Sequence, residues 1–350
     1  MGNSIEIKHL SKDNYQQWND YVTSKEDGTF FHLAQWQQVI EKAFGHKTYM
    51  IYAWSTEGIG DGGKIVGVLP LGHVKSLLFG SNLVSMPFAV YGGAVADSKE
   101  IVQLLHQEGC RIAEELGVDS LELRQKKKSV DDWPTKDLYV TFTKEMFADY
   151  DENMKAIPSK QRSQIRSAIK KGLDCEIDTD IERFFDAYSF SVWRLGTPVF
   201  PKHYFKILQE EFKEDCEIMT ASFEDETVAS CMVFYFRDVV MLYYLGGKDS
   251  ARSLKGNDFL YWQVMCRAAD RGCKVFDFGR SKVGTGAYSF KLNKGFIPEP
   301  LEYQYYLVKA DEVPQINPNN PKYKLFIDLW KKMPLGLSRF IGPMISKNLG

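Results

Sequence analysis

The chain has 350 residues, of which 44% are hydrophobic and 14% aromatic, and its formal net charge is −2. This length predicts two domains that each bury a core, and the small net charge excludes a general attraction for nucleic acids or acidic membranes. The six cysteines contain no Cys-x-x-Cys pair, so they indicate buried thiols in a reducing compartment and give no support for a metal site.

The N-terminus, Met1-Gly-Asn-Ser-Ile-Glu-Ile-Lys, is polar and strand-like, with no basic segment followed by an apolar one. Glu6 stands where a myristoylation motif needs Ser or Thr. The longest apolar run, from Leu83 to Ala96, is too short to span a bilayer. We therefore expect a cytoplasmic protein.

Residues 30–40, reading FFHLAQWQQVI, place aromatic and aliphatic side chains at helical spacing. The pattern predicts a helix with a packed face. His32 and Trp36 are candidate contacts to a substrate, and packing in the core is the alternative.

Two strand-like runs, a pair of glycines, a helix and a closing strand follow one another twice along the chain. The first copy comprises runs 66–74 and 83–91, Gly92-Gly93, a helix ending at Gly117, and strand 120–124. The second copy comprises runs 228–236 and 239–245, Gly246-Gly247, a helix ending at Gly272, and strand 275–280. The shared order predicts a duplication, and chance similarity of two common units is the alternative.

This repeat divides the chain into an N-terminal domain at 1–150, a C-terminal domain at 151–310, which bears the donor site, and a tail at 311–350. The segment from Asp311 to Pro321 is rich in Pro and Asn and is typical of a linker.

Residues 158–172, reading PSKQRSQIRSAIKKG, predict a helix that Pro and Ser begin and Gly ends. Arg162 and Arg166 lie four residues apart on one face, with Ile165 and Ile169 on the buried side. The basic stripe is either a solvated face or a site for a phosphate-bearing acceptor, since no acidic residues are spaced to pair with it.

The loop 252–258, reading RSLKGND, precedes an amphipathic helix. Backbone amides around Lys255, Gly256 and Asn257 therefore lie at a helix N-terminus, where anions bind well. The segment is a candidate donor-binding loop.

Residues 276–296, reading FDFGRSKVGTGAYSFKLNKGF, run from an apolar strand into a loop rich in Gly and cations. Gly284 and Gly286 leave backbone N–H groups uncovered, and Arg280 and Lys291 add positive charge. The loop suits a phosphate, a carboxylate or a developing oxyanion, and does not suit a metal. A glycine-rich connection with solvated lysines is the alternative.

The tail from Tyr323 to Lys332 predicts an amphipathic helix with Phe326, Leu329 and Trp330 near one face, and a basic apolar segment follows Pro334. The tail either touches a membrane surface or docks on the rest of the protein.

Assembled in this order, these segments make the chain similar to the FemAB-like group, the double-GNAT transferases that include the peptidoglycan-bridge aminoacyltransferases. The motifs that carry the resemblance are Phe31-His32 to Trp36, the basic helix from Lys160 to Gly172, Asp277-Phe-Gly-Arg-Ser281, Gly284-Thr-Gly286 and Phe290-Lys291. The C-terminal segment that begins Trp330-Lys-Lys-Met-Pro resembles the subgroup associated with exosortase/PEP-CTERM exopolysaccharide systems.

The sequence departs from these relatives at two places. Lys294 stands where the subgroup commonly has Trp, and the loop at Lys255 and Asn257 lacks the small residues of the usual pyrophosphate loop of acetyl-CoA-dependent GNAT enzymes.

The resemblance implies an α+β fold of two tandem GNAT (acyl-CoA N-acyltransferase-like) domains with a C-terminal helical tail. It implies an enzyme that moves an acyl or aminoacyl group onto an amine of a cell-envelope or exopolysaccharide precursor. The co-substrate is then acyl-CoA or aminoacyl-tRNA, with no tightly bound cofactor. The acceptor is then a nucleotide-sugar or lipid-linked sugar, met at the inner face of the membrane.

The resemblance also implies residue roles. Lys291 stabilises charge at the reacting ester, Asp277 orients Arg280 or Lys291 or accepts a proton from the amine, and Tyr288 donates a proton to the leaving group. Asp277 as a turn-capping residue is the alternative. The implied donor-binding residues are Arg280, Ser281, Gly284, Gly286, Phe290, Lys255, Gly256 and Asn257, and the implied acceptor-binding residues are Arg162, Arg166, His32 and Trp36.

Two alternatives from other classes remain. One is an acyl-CoA-dependent small-molecule N-acyltransferase, and the other is a non-catalytic double-GNAT binding protein.

Overall fold

The structure, a computed structural model, describes residues 5–56, 62–76, 80–313 and 321–349. Most of the predicted linker and the first four residues, including Gly2, lie outside these ranges. The chain forms two compact units. The first contains Met1–Asp137, Leu301–Gln315 and Lys347–Gly350, and the second contains Leu138–Pro300 and Ile316–Ser346.

The strands, in chain order, are β1 Ile5–His9, β2 Lys47–Ser55, β3 Lys64–Ser76, β4 Gly80–Val84, β5 Val95–Ala96, β6 Ser120–Leu123, β7 Thr135–Lys136, β8 Tyr139–Glu145, β9 Asp174–Asp178, β10 Cys216–Phe223, β11 Glu226–Phe236, β12 Val239–Gly247, β13 Val275–Asp277, β14 Ser281–Lys282, β15 Ile297–Pro300 and β16 Tyr303–Leu307.

The α-helices are α1 Tyr15–Ser24, α2 Gln35–Phe44, α3 Lys99–Leu116, α4 Tyr150–Ala156, α5 Ser159–Lys170, α6 Ile181–Leu195, α7 Lys202–Phe212, α8 Ser250–Leu254, α9 Gly256–Asp270, α10 Gly286–Asn293, α11 Pro321–Lys332 and α12 Leu335–Ser346.

Each unit contains one mixed sheet, and the two sheets repeat one topology. The first has the order β1-β2-β3-β4-β6-β16-β7, and the second has β14-β8-β13-β12-β11-β10-β9. In the first sheet β4 is followed by α3 and then by β6, which pairs with β4 in parallel. In the second, β12 is followed by α9 and then by β13, which pairs with β12 in parallel. This correspondence fits the predicted duplication.

The helices α3 and α9 share a sequence pattern in addition to the order of elements that predicted the repeat. Both carry Gln-x-x-Cys-Arg-x-Ala followed by an acidic residue, at 107–114 and at 263–270. In each unit a tyrosine hydroxyl donates to that acid, Tyr306 to Glu114 at 2.5 Å and Tyr150 to Asp270. The paired contacts extend the duplication from topology to side chains.

The unit boundaries differ from the predicted domain limits. Strand β8, assigned above to the N-terminal domain, pairs with β13, β14 and β15 of the second sheet. Strand β16, assigned to the C-terminal domain, pairs with β6 and β7 of the first. Each half of the repeat therefore lacks one strand of its sheet. A segment that is distant in sequence supplies that strand, β16 for the first sheet and β8 for the second.

Two predicted strands are shorter than expected. The run 83–91 is a strand only to Val84, because Met86 and Phe88 take left-handed conformations that turn the chain. The run 275–280 is a strand only to Asp277, because Gly279 has a φ of 65°. Apolar composition predicted burial correctly at both places, whereas the turns depend on backbone conformation.

Each sheet buries one set of apolar side chains against its helices. In the first unit Leu69, Leu105 and Leu121 are fully buried, and in the second Phe142 and Phe276 are. The helix α3 begins where Ser98 accepts from the N–H of Ile101, and it ends at Gly117 with a φ of 59°. Leu69, Leu121 and Phe276 thus come from runs that the sequence predicted as strands.

Candidate active site

The turn that follows β13 organises the candidate site in the second unit. The Asp277 carboxylate is buried, and its Oδ1 accepts from the N–H of Gly279 at 2.7 Å. This bond forms a tight turn that Gly279 completes with its positive φ. Asp277 thus caps the turn, which was the alternative to a direct chemical role.

Lys291 of α10 extends into this turn. Its Nζ donates to the carbonyl oxygens of Gly279 and Arg280, both at 3.0 Å, and the residue is 8% exposed. Burial lowers its pKa to about 8, while the Asp277 carboxylate opposes that fall and Arg280 adds to it. An ammonium has three N–H groups, so one remains for another acceptor.

Aromatic side chains surround the same ammonium. The Nζ lies 5.4 Å from the ring centroid of Phe142 and 5.3 Å from that of Phe278. Arg280 lies with its guanidinium 4.8 Å from the ring centroid of Tyr139. Both Phe142 and Tyr139 belong to β8, so sequence reasoning missed them by assigning that strand to the other domain.

The glycines of the predicted loop have different roles. Gly284 has a φ of 78°, which favours glycine, whereas a side chain at Gly286 would meet no atom within 4 Å. Helix α10 starts after Thr285, whose hydroxyl accepts from the N–H of Tyr288 at 3.3 Å. The Tyr288 ring packs edge-on against Phe142.

Ser281 is buried, and within the described residues its hydroxyl has no hydrogen-bond partner. A buried hydroxyl without a partner costs stability unless a ligand or water satisfies it. The Ser281 hydroxyl can therefore form a hydrogen bond with a ligand that binds beside the turn.

A cavity of about 450 Å³ lies beside the N-terminus of α9. Its lining comes from α6, the end of β12, α8, the first turn of α9 and α10, and consists of Ser191, Arg194, Leu195, Gly247, Lys248, Ala251, Arg252, Lys255, Asn257, Asp258 and Phe290. The predicted donor residues Lys255, Asn257 and Phe290 therefore share one cavity. Gly256 lies between the first two, where a Cβ would fall 2.4 Å from Val228 Cγ1.

The cations of this cavity differ in how they are paired. Lys248 forms an ion pair with Asp186, and Arg194 pairs with Asp249 at 2.6 Å. Across the described part of the chain, Arg252 and Lys255 have no ion-pair partner. Together with the N-terminus of α9, they suit an anionic group. Sequence reasoning missed Arg194 and Lys248 because they come from other elements.

One wall of the cavity rests on a buried ion pair. Lys294 Nζ contacts the Asp258 carboxylate, and its side chain is 2% exposed. Burial lowers the pKa of Lys294 to about 8. The pair joins α10 to α9 at the position where the resembling subgroup commonly has Trp.

The basic helix α5 differs from its prediction at one position. Ile165 is buried, but Ile169 is 47% exposed, and Ala168 takes its place in the core. The helix is therefore rotated about its own axis relative to the orientation that the sequence predicted. Arg166 is exposed, and Arg162 donates to the carbonyl oxygen of Lys155 at 2.8 Å.

His32 and Trp36 lie in the core of the first unit. Neutral His32 accepts from the N–H of Thr29 at Nδ1, and its Nε2 lies 2.9 Å from the Gly93 carbonyl oxygen. Burial lowers its pKa to about 4. Trp36 is fully buried and donates to the Phe30 carbonyl oxygen. These contacts favour packing, the alternative considered for both residues.

Residues 159–292 match the family model described as an acetyltransferase (GNAT) domain. The matched segment runs from α5 to the end of α10 and includes the cavity loop and Lys291. The second unit therefore contains a segment similar to a GNAT domain. A search of curated protein sequences found no significant match.

Solved structures extend the likeness of the fold beyond this segment. FemX is 15% identical with a TM-score of 0.66, covering 92% of this chain and all of its own. The C-terminal domain of a putative lysylphosphatidylglycerol synthetase from Agrobacterium fabrum is 10% identical with a TM-score of 0.55, covering 84% of this chain and 91% of its own. A tandem GNAT protein from the clavulanic acid biosynthesis pathway is 8% identical with a TM-score of 0.54, covering 87% and 100%.

The predicted tandem GNAT fold, with its FemAB-like arrangement and helical tail, is therefore confirmed. None of the described helices is long and apolar enough to cross a bilayer.

Proposed function

We propose that this chain transfers an acyl or aminoacyl group from a phosphate-bearing donor to an amine of a cell-envelope or exopolysaccharide precursor. The observation that carries the proposal is the cavity where Arg252 and Lys255 meet the first turn of α9, with Phe290 of α10 on its wall. Acyl-CoA and aminoacyl-tRNA both carry phosphates that such a site binds. The cavity therefore supports a donor of either kind.

The reaction sets clear requirements on the residues around the donor. The acceptor amine attacks the acyl carbon, a C–N bond forms, and the carbonyl oxygen becomes an oxyanion. Collapse of this intermediate breaks the C–O or C–S bond, and the leaving group takes the electron pair. The amine loses a proton and the leaving group gains one, so the site needs a fixed positive charge and a path for that proton.

Lys291 meets the first requirement. Two of its N–H groups are fixed on the turn carbonyls, and we assign the third to the oxyanion. A positive charge inside a poorly solvated site stabilises developing negative charge more than it would in water. Asp277 acts as a positioning residue, since its carboxylate attracts the ammonium and its Oδ1 fixes the turn. Tyr288 is the proposed proton donor to the leaving group.

The other residues that we propose to bind the donor belong to the same unit. Arg280, Ser281, Gly284 and Gly286 belong to the turn and loop beside Lys291, while Lys255, Gly256 and Asn257 belong to the cavity. The name of the lysylphosphatidylglycerol synthetase neighbour describes a lysyl group carried on a phospholipid. This supports an aminoacyl donor.

For the acceptor we propose a nucleotide-sugar or lipid-linked sugar that the enzyme meets at the inner face of the membrane. Arg166 is exposed on α5 and Arg162 lies one turn before it, so their charges can contact a phosphate. Reversing both charges should raise the acceptor concentration needed for half-saturation and leave donor binding unchanged. If a folded variant needed the same acceptor concentration for half-saturation as the wild type, α5 would not belong to the acceptor site.

Native mass spectrometry tests the donor. The intact protein is offered acyl-CoAs, a charged aminoacyl-tRNA mixture and nucleotide-sugars in separate panels. Arg252→Glu with Lys255→Glu should abolish donor retention, whereas Lys206→Glu, on the exposed face of α7, should not. Retention of acyl-CoA alone would exclude aminoacyl-tRNA as the donor and favour the small-molecule N-acyltransferase alternative. Equal retention by both charge variants would exclude the cavity as the donor site.

Lys291→Ala separates catalysis from binding. A transferase should retain donor binding and lose turnover in this variant. A binding protein without activity should lose neither its ligand nor its cellular function, and that result would contradict the proposal.

A further inference from the structure

The last helix, α12, presents its apolar side to solvent. Leu337, Phe340 and Met344 are 45%, 69% and 55% exposed. The opposite side buries Ser338, Gly342 and Ser346 instead. A helix of a globular protein normally turns its apolar stripe towards the core, so the amphipathic pattern of α12 is inverted.

Specific contacts hold the helix in this orientation. The Arg339 guanidinium forms an ion pair with Asp186 and donates to the Ser189 hydroxyl at 2.9 Å, both on α6. The Ser346 hydroxyl donates to the Val199 carbonyl oxygen at 3.0 Å. A Cβ at Gly342 would lie 2.9 Å from the Val199 backbone nitrogen, so only glycine allows this close approach. The apolar side is therefore turned outward by fixed contacts.

The neighbouring helix α11 also exposes apolar side chains. Leu325 and Leu329 are 63% and 59% exposed, whereas Trp330 is buried. This corrects the prediction that Leu329 and Trp330 share a face. Two consecutive helices thus each leave an apolar stripe uncovered.

The charge of this segment is unlike that of the whole chain. Residues 321–350 contain Lys322, Lys324, Lys331, Lys332, Arg339 and Lys347 but a single acidic residue, Asp328. The whole chain is close to neutral at −2. Lys331 and Lys332, the last two residues of α11, are exposed. Apolar side chains beside basic ones fit the boundary between acyl chains and anionic headgroups.

We propose that α12, with the basic residues that precede it, docks the protein on an anionic lipid surface. Helix α12 lies in the plane of the interface, with Leu337, Phe340 and Met344 inserted among the acyl chains. Its 12 residues are too few to span a bilayer. Lys331 and Lys332 contact lipid phosphates, and the mode of binding is peripheral.

Charge favours lipid over a second copy of this chain as the occupant. A twofold interface would bring two copies of the same basic segment together, and their like charges would repel. An anionic bilayer attracts the same segment and accepts the apolar side chains.

Flotation of the full chain with vesicles tests the proposal. One set contains phosphatidylcholine alone, and the other also contains phosphatidylglycerol. We expect the wild type to float with the anionic set, and we expect high salt to weaken binding by screening the lysines. Leu337→Ser, Phe340→Ser and Met344→Ser together should weaken binding about tenfold or more. Lys331→Glu with Lys332→Glu should weaken it at low salt.

The matched control is Ile297→Ser in β15, where the isoleucine is 74% exposed. This control should float like the wild type, and circular dichroism should show that every variant is folded. Absence of flotation by the wild type, or equal flotation of the triple variant, would overturn the proposal. A dimer in sedimentation velocity that the triple variant converts to monomer would identify a second copy as the occupant instead.

This proposal is independent of the transferase assignment. The triple variant should keep donor retention in native mass spectrometry, because its substitutions lie outside the cavity. Loss of vesicle binding with intact donor binding therefore reports on the tail alone.

Discussion

Lys294, the residue that follows α10, and Asp258 of α9 form an ion pair whose lysine side chain is 2% exposed and whose aspartate side chain is 19% exposed. The Lys294 ammonium also lies 4.8 Å from the ring centroid of Phe290, which lines the cavity together with Asp258. The pair therefore fixes two parts of the cavity wall to each other.

Lys294→Ala should lower the free energy of unfolding by about 2 kcal/mol, because Asp258 loses its cation while remaining largely buried. Lys294→Met combined with Asp258→Leu should recover most of that loss. Urea denaturation measures both changes, and Lys332→Ala on exposed α11 is the control. If Lys294→Ala unfolded at the wild-type urea concentration, the pair would contribute nothing to the fold.

Lys291 should make stability depend on pH in the alkaline range. Its pKa is about 8 in the folded protein against 10.5 for an ordinary lysine, so the unfolded chain binds more protons between these values. Stability therefore rises as pH increases through this window, by up to about 3 kcal/mol for this residue. Lys291→Met should lack that rise. The measurement is the difference in unfolding free energy between the two proteins from pH 7 to 9.5, and a constant difference would contradict the assigned pKa.

Gly246 and Gly286 should respond differently to alanine. A Cβ at Gly246 would lie 2.3 Å from the backbone Cα of Tyr188, whereas one at Gly286 would meet nothing within 4 Å. Gly246→Ala should cost about 3 kcal/mol or prevent folding. Gly286→Ala should leave stability unchanged or raise it by about 1 kcal/mol, because it lies in a helix. Thermal unfolding gives both results, and equal melting temperatures would contradict the close approach at Gly246.

His106 should make the first unit sensitive to acid. Both ring nitrogens are buried, and across the described residues neither has a hydrogen-bond partner. Burial lowers its pKa to about 4, so the unfolded chain binds more protons between pH 6.5 and 4, and stability falls as pH decreases through that range. His106→Phe should raise stability at pH 7 by about 1 kcal/mol and reduce the acid sensitivity.

His32→Phe is the contrasting variant. His32 has a similarly lowered pKa, but its ring contacts Gly93 and Thr29. This substitution should destabilise the first unit, because it leaves those backbone groups without a partner. Acid titration followed by circular dichroism distinguishes the two histidines.

Local patterns were sufficient to predict much of the fold. The repeat predicted corresponding helices ending at Gly117 and Gly272, and both glycines adopt positive φ. The apolar runs 66–74 and 228–236 predicted strands at β3 and β11, and both strands are buried along most of their length. The loop at Lys255 and Asn257 was correctly placed at a helix N-terminus, because such a terminus has a recognisable sequence signal.

The remaining features depend on contacts between distant segments. Arg194 reaches the cavity from α6, Lys248 reaches it from the residue after β12, and Phe142 reaches Lys291 from β8. The spacing of residues along the sequence does not indicate such contacts between distant segments. The sequence left His32 open between a ligand contact and packing, and its contact with Gly93 favours packing.

Strand β16 follows the whole second sheet in sequence yet completes the first. The edge of β6 that pairs with β16 therefore stays unpaired while the ribosome makes the intervening chain. This takes roughly 10 to 40 s at ordinary translation rates. An open strand edge invites pairing with another chain. During its synthesis this protein therefore passes through a period in which its first half is most exposed to aggregation, and that period ends only when Tyr303–Leu307 emerges.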